Sequence, residues 1–515
     1  MPITKTIIMN ILPVLKKSLS AVVLLAAAIS CSDASFIVRT PLQSTGVTLE
    51  GLGVELDPHF ISQNVTRDDG ATLDDWQNIV VRRVKMMDIQ RLRVMLLPHW
   101  WEPVNDNSDS QIADPKGFTF ESAEMKSVYA VLDLAQETGA EVTLVLWGCP
   151  AGCSFIDETT PSQGQRHFLC NATGTNWVTA PGDNEEFAEC FSVVVKHLIE
   201  DLGYTCVKEI TPFNEPDGNV CELDQYYQIV KALDCRFRKD GIRDKVRFNL
   251  SDNTDCRRFF LKGCADNVSE YADMFNSHTY MCGYETPNSY SFGWEKENND
   301  VVKATGKRHF VGEFGSNQCV GATRQKDINR YERGVLITRN CLNFLNAGAA
   351  GTSYWSLIDQ YYNRDAPYDQ MQQLGLWRYK KSVYVGNDAE GCESDYQPRP
   401  QYYAYSLLTR FIRRGDEVYP LNLQNEYAAG SAFRSPSGDW TYVFANGSED
   451  DLEFYLVNEN DSAAPALDMY LYSKATLPSD DSMLASSGVL NSTSRGYKVS
   501  LPAQTVILLE QQIQQ

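Results

Sequence analysis

Histidine is scarce in this chain of 515 residues: there are six, with no His-x-x-x-His pair and no tight His/Asp grouping. Zinc hydrolases draw their ligands from such short patterns, so metal catalysis is disfavoured. No Gly-x-Ser-x-Gly turn occurs, which removes the nucleophile elbow of a serine hydrolase. No Gly-rich phosphate turn follows the first strand-like run, which weighs against a doubly wound open sheet. No Cys-x-x-Cys pair occurs among the scattered cysteines. Neither a metal nor any other cofactor is therefore expected. Positive charge is in deficit, with 46 Lys and Arg against 67 Asp and Glu, a net charge of -21. Such a surface repels phosphate backbones and anionic lipid, so nucleic acid is not an expected partner. No apolar run reaches the roughly 18 residues that span a bilayer.

An export signal is expected over residues 1–34. Lys16 and Lys17 precede an apolar run from Leu19 to Ile29, and Met9 as the start would give a more usual signal length. The run closes on Ala28-Ile-Ser-Cys31, similar to a bacterial lipobox in which Cys31 takes the lipid and anchors the protein to a membrane. Cleavage near Ala34, releasing a soluble protein, is the other reading. Both give a secreted or cell-envelope location, the lipidated form an outer-membrane one. Fourteen cysteines suit an oxidising compartment. An odd number remains once Cys31 is removed or lipidated, so at least one cannot pair internally. Cys149 with Cys153 and Cys256 with Cys264 are the nearby candidates. The Asn-x-Ser/Thr sequons, Asn64 and Asn171 among them, are read as chance beside a bacterial-looking signal.

The length suggests two domains. From Leu49 to about Leu357, strand-like runs alternate with amphipathic helices. The strands are expected at Leu49–Leu56, Arg91–Leu97, Glu141–Trp147, Val207–Phe213, Lys245–Leu250, Met274–Tyr280, His309–Gly312 and Gly351–Leu357. Thr72 with Asp75 makes a capping box for the first helix. Gly139 and Gly203 stand where the next two helices should stop. A helix is expected over Ile328–Leu345 and a last one over Tyr402–Arg414. Eight strand–helix units in about 310 residues match a (β/α)8 TIM barrel, placed at residues 46–414. Beyond it short alternating runs separated by turn residues predict a small all-β sandwich over 415–515, with an edge strand from residues 36–45.

A barrel builds its active site at the C-terminal ends of its strands. The residues there are Glu55 and Asp57, Arg93 and His99-Trp-Trp101, Trp147, Asn214-Glu215, Asp252 and Asn253, His278-Thr-Tyr280, Glu313 and Trp355. Two glutamates stand out, each just after an apolar run: Glu215 in Thr211-Pro-Phe-Asn-Glu-Pro-Asp217 and Glu313 in His309-Phe-Val-Gly-Glu-Phe-Gly315. Paired carboxyls are what glycoside hydrolysis needs. Pro216 is expected to turn Glu215 away from helical backbone and towards extended. Trp100 and Trp101 stack on sugar or pack a loop, Trp147 reads as core, and Glu55, Asp57 and Asp252 are left without a role.

Asn214-Glu215-Pro216, His278-x-Tyr280, Gly312-Glu313-Phe314 and Trp355 resemble clan A of the glycoside hydrolases. The combination is most similar to family 5. Gly51-Leu-Gly-Val-Glu-Leu-Asp57 and the C-terminal sandwich resemble families 30, 39 and 158. The resemblance implies a retaining β-glycosidase acting on a β-linked polysaccharide or oligosaccharide, a β-glucan foremost. It makes Glu215 the acid/base and Glu313 the nucleophile. It implies that Asn214 reaches the sugar 2-hydroxyl and that Tyr280 orients Glu313. Arg93 would favour the charged form of Glu313 by about 1–3 pKa units. His278 would touch substrate or the carboxyl network, and Trp355 would floor the cleaved sugar. A barrel that binds carbohydrate without cleaving it, and a transglycosylase with the same residues, are the alternatives. The inserts Pro103–Phe120, Ala151–Pro181 and Gln360–Gln397 would wall a deep cleft.

Overall fold

The structure, a computed structural model, describes residues 36–58, 71–151, 166–173, 178–218, 220–254, 258–320, 324–359, 371–384 and 386–512. The export signal with Cys31, Cys153, Cys256 and the Asn64 sequon lie outside them.

Eight parallel strands close a barrel: Gly51–Glu55, Arg91–Leu96, Glu141–Leu146, Val207–Thr211, Arg247–Asn253, Met274–Thr279, His309–Phe314 and Gly351–Tyr354. Closure comes from the last strand pairing with the first, Gly351 opposite Gly51 through Tyr354 opposite Val54. Around it run α1 (Leu73–Asp75) and α2 (Arg82–Met87), joined by a π-helical stretch, then α3 (Ala123–Thr138), α4 (Asn184–Lys196) and α5 (Leu223–Lys239). They continue with α6 (Arg258–Val268), α7 (Asn288–Lys303), α8 (Glu332–Asn346) and α9 (Pro400–Phe411). The Thr72–Asp75 capping box forms, and Gly139 follows α3 with a left-handed φ of 75°. Helix α7 buries Ser291, Glu295, Asn298 and Val302 and so does not stand out in the sequence, whereas α6 buries Phe260, Leu261, Cys264, Ala265 and Val268 at helical spacing. The fifth strand starts two residues later than expected and runs on to Asn253. Helix α8 starts at Glu332 rather than Ile328, because Asp327 is held in a turn facing Arg333 (Nη1 to Oδ2 3.0 Å).

The barrel interior is polar and layered, because strand side chains alternate direction with period two. Arg91 and Arg93, two residues apart, both point inward at different depths. At the bottom Arg91 and Arg247 meet Glu50, Glu141 and Glu209, with Arg247 Nη2 2.7 Å from Glu209 and 2.9 Å from Glu141. That network plugs the closed end. Arg93 stands one layer higher, at the open end.

The C-terminal sandwich has two sheets. One runs in the order 417–421, 428–434, 440–446, 505–511, 467–472, 488–490; the other consists of Leu452–Asn458 between Phe36–Thr40 and Tyr497–Leu501. The expected edge strand is thus present, parallel to 452–458. The larger sheet is buried on both faces. Tyr442, Phe444, Ile507 and Leu509 face the smaller sheet, while Val443, Ala445, Val506 and Leu508 join the barrel core. Its docking needs Gly334 on α8, where a Cβ would lie 2.3 Å from Tyr472 Oη and 3.0 Å from Ala404 Cβ. Ten described cysteines are free thiols, all buried but Cys235, so no disulfide framework forms among them. They behave as small apolar residues.

Candidate active site

Arg93 is the centre of the open end. It is buried, and its guanidinium donates to four strand-end acceptors: Nη1 to Glu55 Oε2 (2.8 Å) and Glu313 Oε1 (2.7 Å), Nη2 to Asn214 Oδ1 (2.7 Å) and Asp252 Oδ2 (2.7 Å). Tyr280 Oη donates to the other oxygen of Glu313 at 2.7 Å. The His278 ring bridges the rest: Nδ1 lies 2.8 Å from Glu215 Oε1 and 3.4 Å from Glu313 Oε2, and Nε2 lies 3.2 Å from Asp252 Oδ1. With a carboxyl facing each nitrogen, the ring is suited to donate from both. One oxygen each of Glu215 and Glu313 and a nitrogen of His278 lie within 4.8 Å of one another. The same trio could ligate a cation, but the Arg93 charge in direct contact with Glu313 already occupies that role and would repel one.

The two glutamates differ in environment. The Glu215 side chain is 35% exposed, that of Glu313 only 7%. Burial raises the Glu313 carboxyl above its ordinary range, against the pull of His278 and Arg93. Arg93 acts in the expected direction, favouring the charged form, but its charge is shared among three acids and burial outweighs it. Burial likewise pushes Glu55 well above the carboxylate range. Asp252 is also buried, yet Arg93 and His278 together hold it low. For His278 burial opposes the charged form, but Glu313 and Asp252 overcome it and raise the ring well above its usual value.

The backbone at the site is bent. Glu215 has φ 43°, so Pro216 leaves it in the left-handed region and not in the extended one expected. Its N–H donates to Asp252 O at 3.1 Å, which fixes the turn. Ser251 (φ 83°) and Asp252 (φ 51°) are also left-handed, where the fifth strand slips register against the sixth. Non-glycine residues held there cost about 1–3 kcal/mol each and gather at functional sites.

All seven residues singled out in the sequence, Arg93, Asn214, Glu215, His278, Tyr280, Glu313 and Trp355, meet at this end. Trp355 packs beside Trp147, centroids 5.6 Å apart, and Arg93 lies 5.5 Å from the Trp147 ring. Trp147 is therefore at the site and not plain core. Trp100 and Trp101 are buried, with Trp101 Nε1 donating to Cys190 O at 3.0 Å, so they pack a loop. Glu55 and Asp252, given no role from sequence, are direct partners of Arg93. Their place at strand ends was the available signal.

The fold defines a class: an eight-stranded parallel barrel with a C-terminal β-sandwich. No family model matches the chain, and no curated protein does. Solved structures do match over most of its length. A conserved exported protein from Bacteroides fragilis superposes with TM-score 0.65 at 14% identity, covering 92% of this chain and 100% of its own. The catalytic domain of a glycoside hydrolase family 30 xylanase from Talaromyces cellulolyticus gives 0.62 at 14%, covering 93% and 100%. An endo-β-1,6-glucanase gives 0.58 at 13%, covering 93% and 94%. At such identities the likeness is one of fold.

Proposed function

We propose that this protein is a retaining glycoside hydrolase of clan A that cleaves β-linked polysaccharide or its fragments, a β-glucan foremost. The observation that carries the reading is the pair of carboxylates, Glu215 and Glu313, with oxygens within 4.8 Å of each other at the open end of the barrel. Retaining enzymes keep their carboxyl groups about 5–5.5 Å apart, whereas inverting ones leave about 6.5–9.5 Å for a water. The half-exposed Glu215 suits proton exchange with a leaving group and with water. Glu313, clamped by Arg93 and Tyr280, suits attack from a fixed position.

In the first step a Glu313 oxygen bonds to the anomeric carbon as the glycosidic C–O bond breaks, and Glu215 gives its proton to the departing oxygen. In the second, Glu215 takes a proton from water while the water oxygen displaces Glu313 from the same carbon. Asn214, its carbonyl held by Arg93, keeps its amide N–H groups for the sugar 2-hydroxyl. Trp355 offers an apolar floor. The fold neighbours that are named as a xylanase and an endo-β-1,6-glucanase support a β-linked substrate.

The test is a panel of β-linked polysaccharides and aryl glycosides with wild type, Glu215→Gln and Glu313→Gln. Both variants should lose activity, by about 10²–10⁴-fold or more. Azide should restore turnover in Glu215→Ala and Glu313→Gly, with glycosyl azides of opposite anomeric configuration. Wild-type activity in either Gln variant overturns the assignment.

A further inference from the structure

Outside the Glu215–Glu313 group, a second set of acids converges between the loop after the second barrel strand and α4. We infer that Glu102, Asp106, Glu186 and Glu189 form a binding site for a hard divalent cation of the calcium type. Each offers a carboxylate oxygen, and the four oxygens lie within 4.8 Å of one another. Glu102 and Glu189 are 0% exposed and Glu186 is 7% exposed.

The independent mark of a ligand is what these oxygens lack. Among the described residues no hydrogen bond reaches Asp106 Oδ1, Glu186 Oε1 or either oxygen of Glu189, and the Glu102 carboxyl has the Cys190 thiol beside it. Buried carboxylate oxygens without donors are costly and are normally satisfied. The cation at hand is Arg236, with Nη2 3.7 Å from Glu189 Oε1, beyond hydrogen-bond reach. Its other nitrogens are engaged: Nε donates to Asp240 Oδ2 (2.7 Å) and Nη1 to Ser110 O (2.7 Å). One guanidinium at the rim does not balance four acids.

The local chain is shaped to present them. Glu186 and Glu189, three apart, share one face of α4, whose N-terminus is capped by Asp183. Glu102 N–H donates to Pro98 O (2.9 Å), and Asp106 N–H reaches Glu102 Oε1 at 3.4 Å. The loop then folds back so tightly that a Cβ on Gly117 would come 2.1 Å from Asp106 Cβ. An all-oxygen set excludes the softer metals that favour nitrogen or sulfur. Four converging carboxylates suit Ca²⁺, with six to eight oxygens at roughly 2.3–2.6 Å, better than Mg²⁺, which keeps most of its waters. The bound ion would staple the insert carrying Trp100 and Trp101 to the barrel wall. A search centred on histidine does not see such a set.

The experiment strips the full chain with EDTA and titrates Ca²⁺ by calorimetry, with Tb³⁺ luminescence excited through tryptophan as a second readout. One site is expected, with Kd of about 10⁻⁵–10⁻³ M. Saturating Ca²⁺ should raise Tm by about 3–5 °C. Glu189→Gln, and the more exposed Asp106→Asn should the first fail to fold, should weaken binding by about 30-fold or more and abolish the Tm response. The idea is overturned if wild type shows neither heat nor a Tm shift at about 10 mM Ca²⁺. It is equally overturned if Glu189→Gln is more stable than the stripped wild type and binds Ca²⁺ as wild type does, which marks the cluster as protonated acids.

Discussion

Arg93 gives one positive charge to Glu55, Asp252 and Glu313 at once, and the three acids titrate accordingly. Burial lifts Glu313 above the ordinary 4.5, and the attack proposed for it requires its ionised form. Activity is therefore lost as pH falls through that raised value, and the acid limb of kcat/KM should lie above 4.5. Arg93→Met removes a downward pull, so the limb should move higher still, with a loss of about 10²–10³-fold at the optimum. A pH–rate profile of the two proteins checks both. Tyr280→Phe removes the hydrogen bond to Glu313 Oε2 and should cost about 10–100-fold in kcat/KM with the fold intact. At this scale the paired glutamates and their histidine, tyrosine and arginine were legible, since strand ends and residue types name them. The roles of Glu55 and Asp252 were not. Asp252 sits in a bulge, and an extra residue in a strand breaks the alternation that tells inward from outward.

Strands and helices were legible where their apolar period is strong, and their ends were not. The seventh strand was read as ending at Gly312 but runs to Phe314, so Glu313 is part of the strand and is aimed by it. Gly312 is required there by contact: a Cβ would lie 2.4 Å from Asn276 Oδ1 and 3.2 Å from Asp252 Oδ1. Gly312→Ala should destabilise the protein by about 1–3 kcal/mol, seen in chemical denaturation, and lower activity more than Tm alone would explain. Further along the same ring, Arg339 of α8 is buried with Nη2 donating to Gly283 O (3.0 Å), Tyr284 O (3.2 Å) and Thr286 O (3.0 Å). These carbonyls belong to the loop that follows His278 and Tyr280. No motif announces such a tie, because it depends on where a helix docks.

The whole molecule is one packed body of two parts. The larger sandwich sheet, covered on both faces, explains why Thr505-Val-Ile-Leu-Leu509 reads as a continuous apolar run and not as an alternation. Removal of residues 415–512 would bare the outer faces of α8 and α9. The truncated barrel is expected to aggregate or to lose the cooperative unfolding of the full chain, as scattering and calorimetry would report. The division into barrel and sandwich was readable from the change of period near Arg399-Pro400. The depth of their fusion was not, because it rests on Gly334 leaving room for Tyr472, a contact between residues far apart in the chain.

The strand Phe36–Thr40 finds its neighbour far along the chain, with Arg39 bonded to Glu459 across 420 positions. A ribosome adding about 5–20 residues each second needs roughly 20–80 s to deliver that neighbour. Through this interval the nascent β segment waits unpaired, an edge open to other chains, and the smaller sheet of the sandwich can close only after Leu452–Asn458 and Tyr497–Leu501 have emerged.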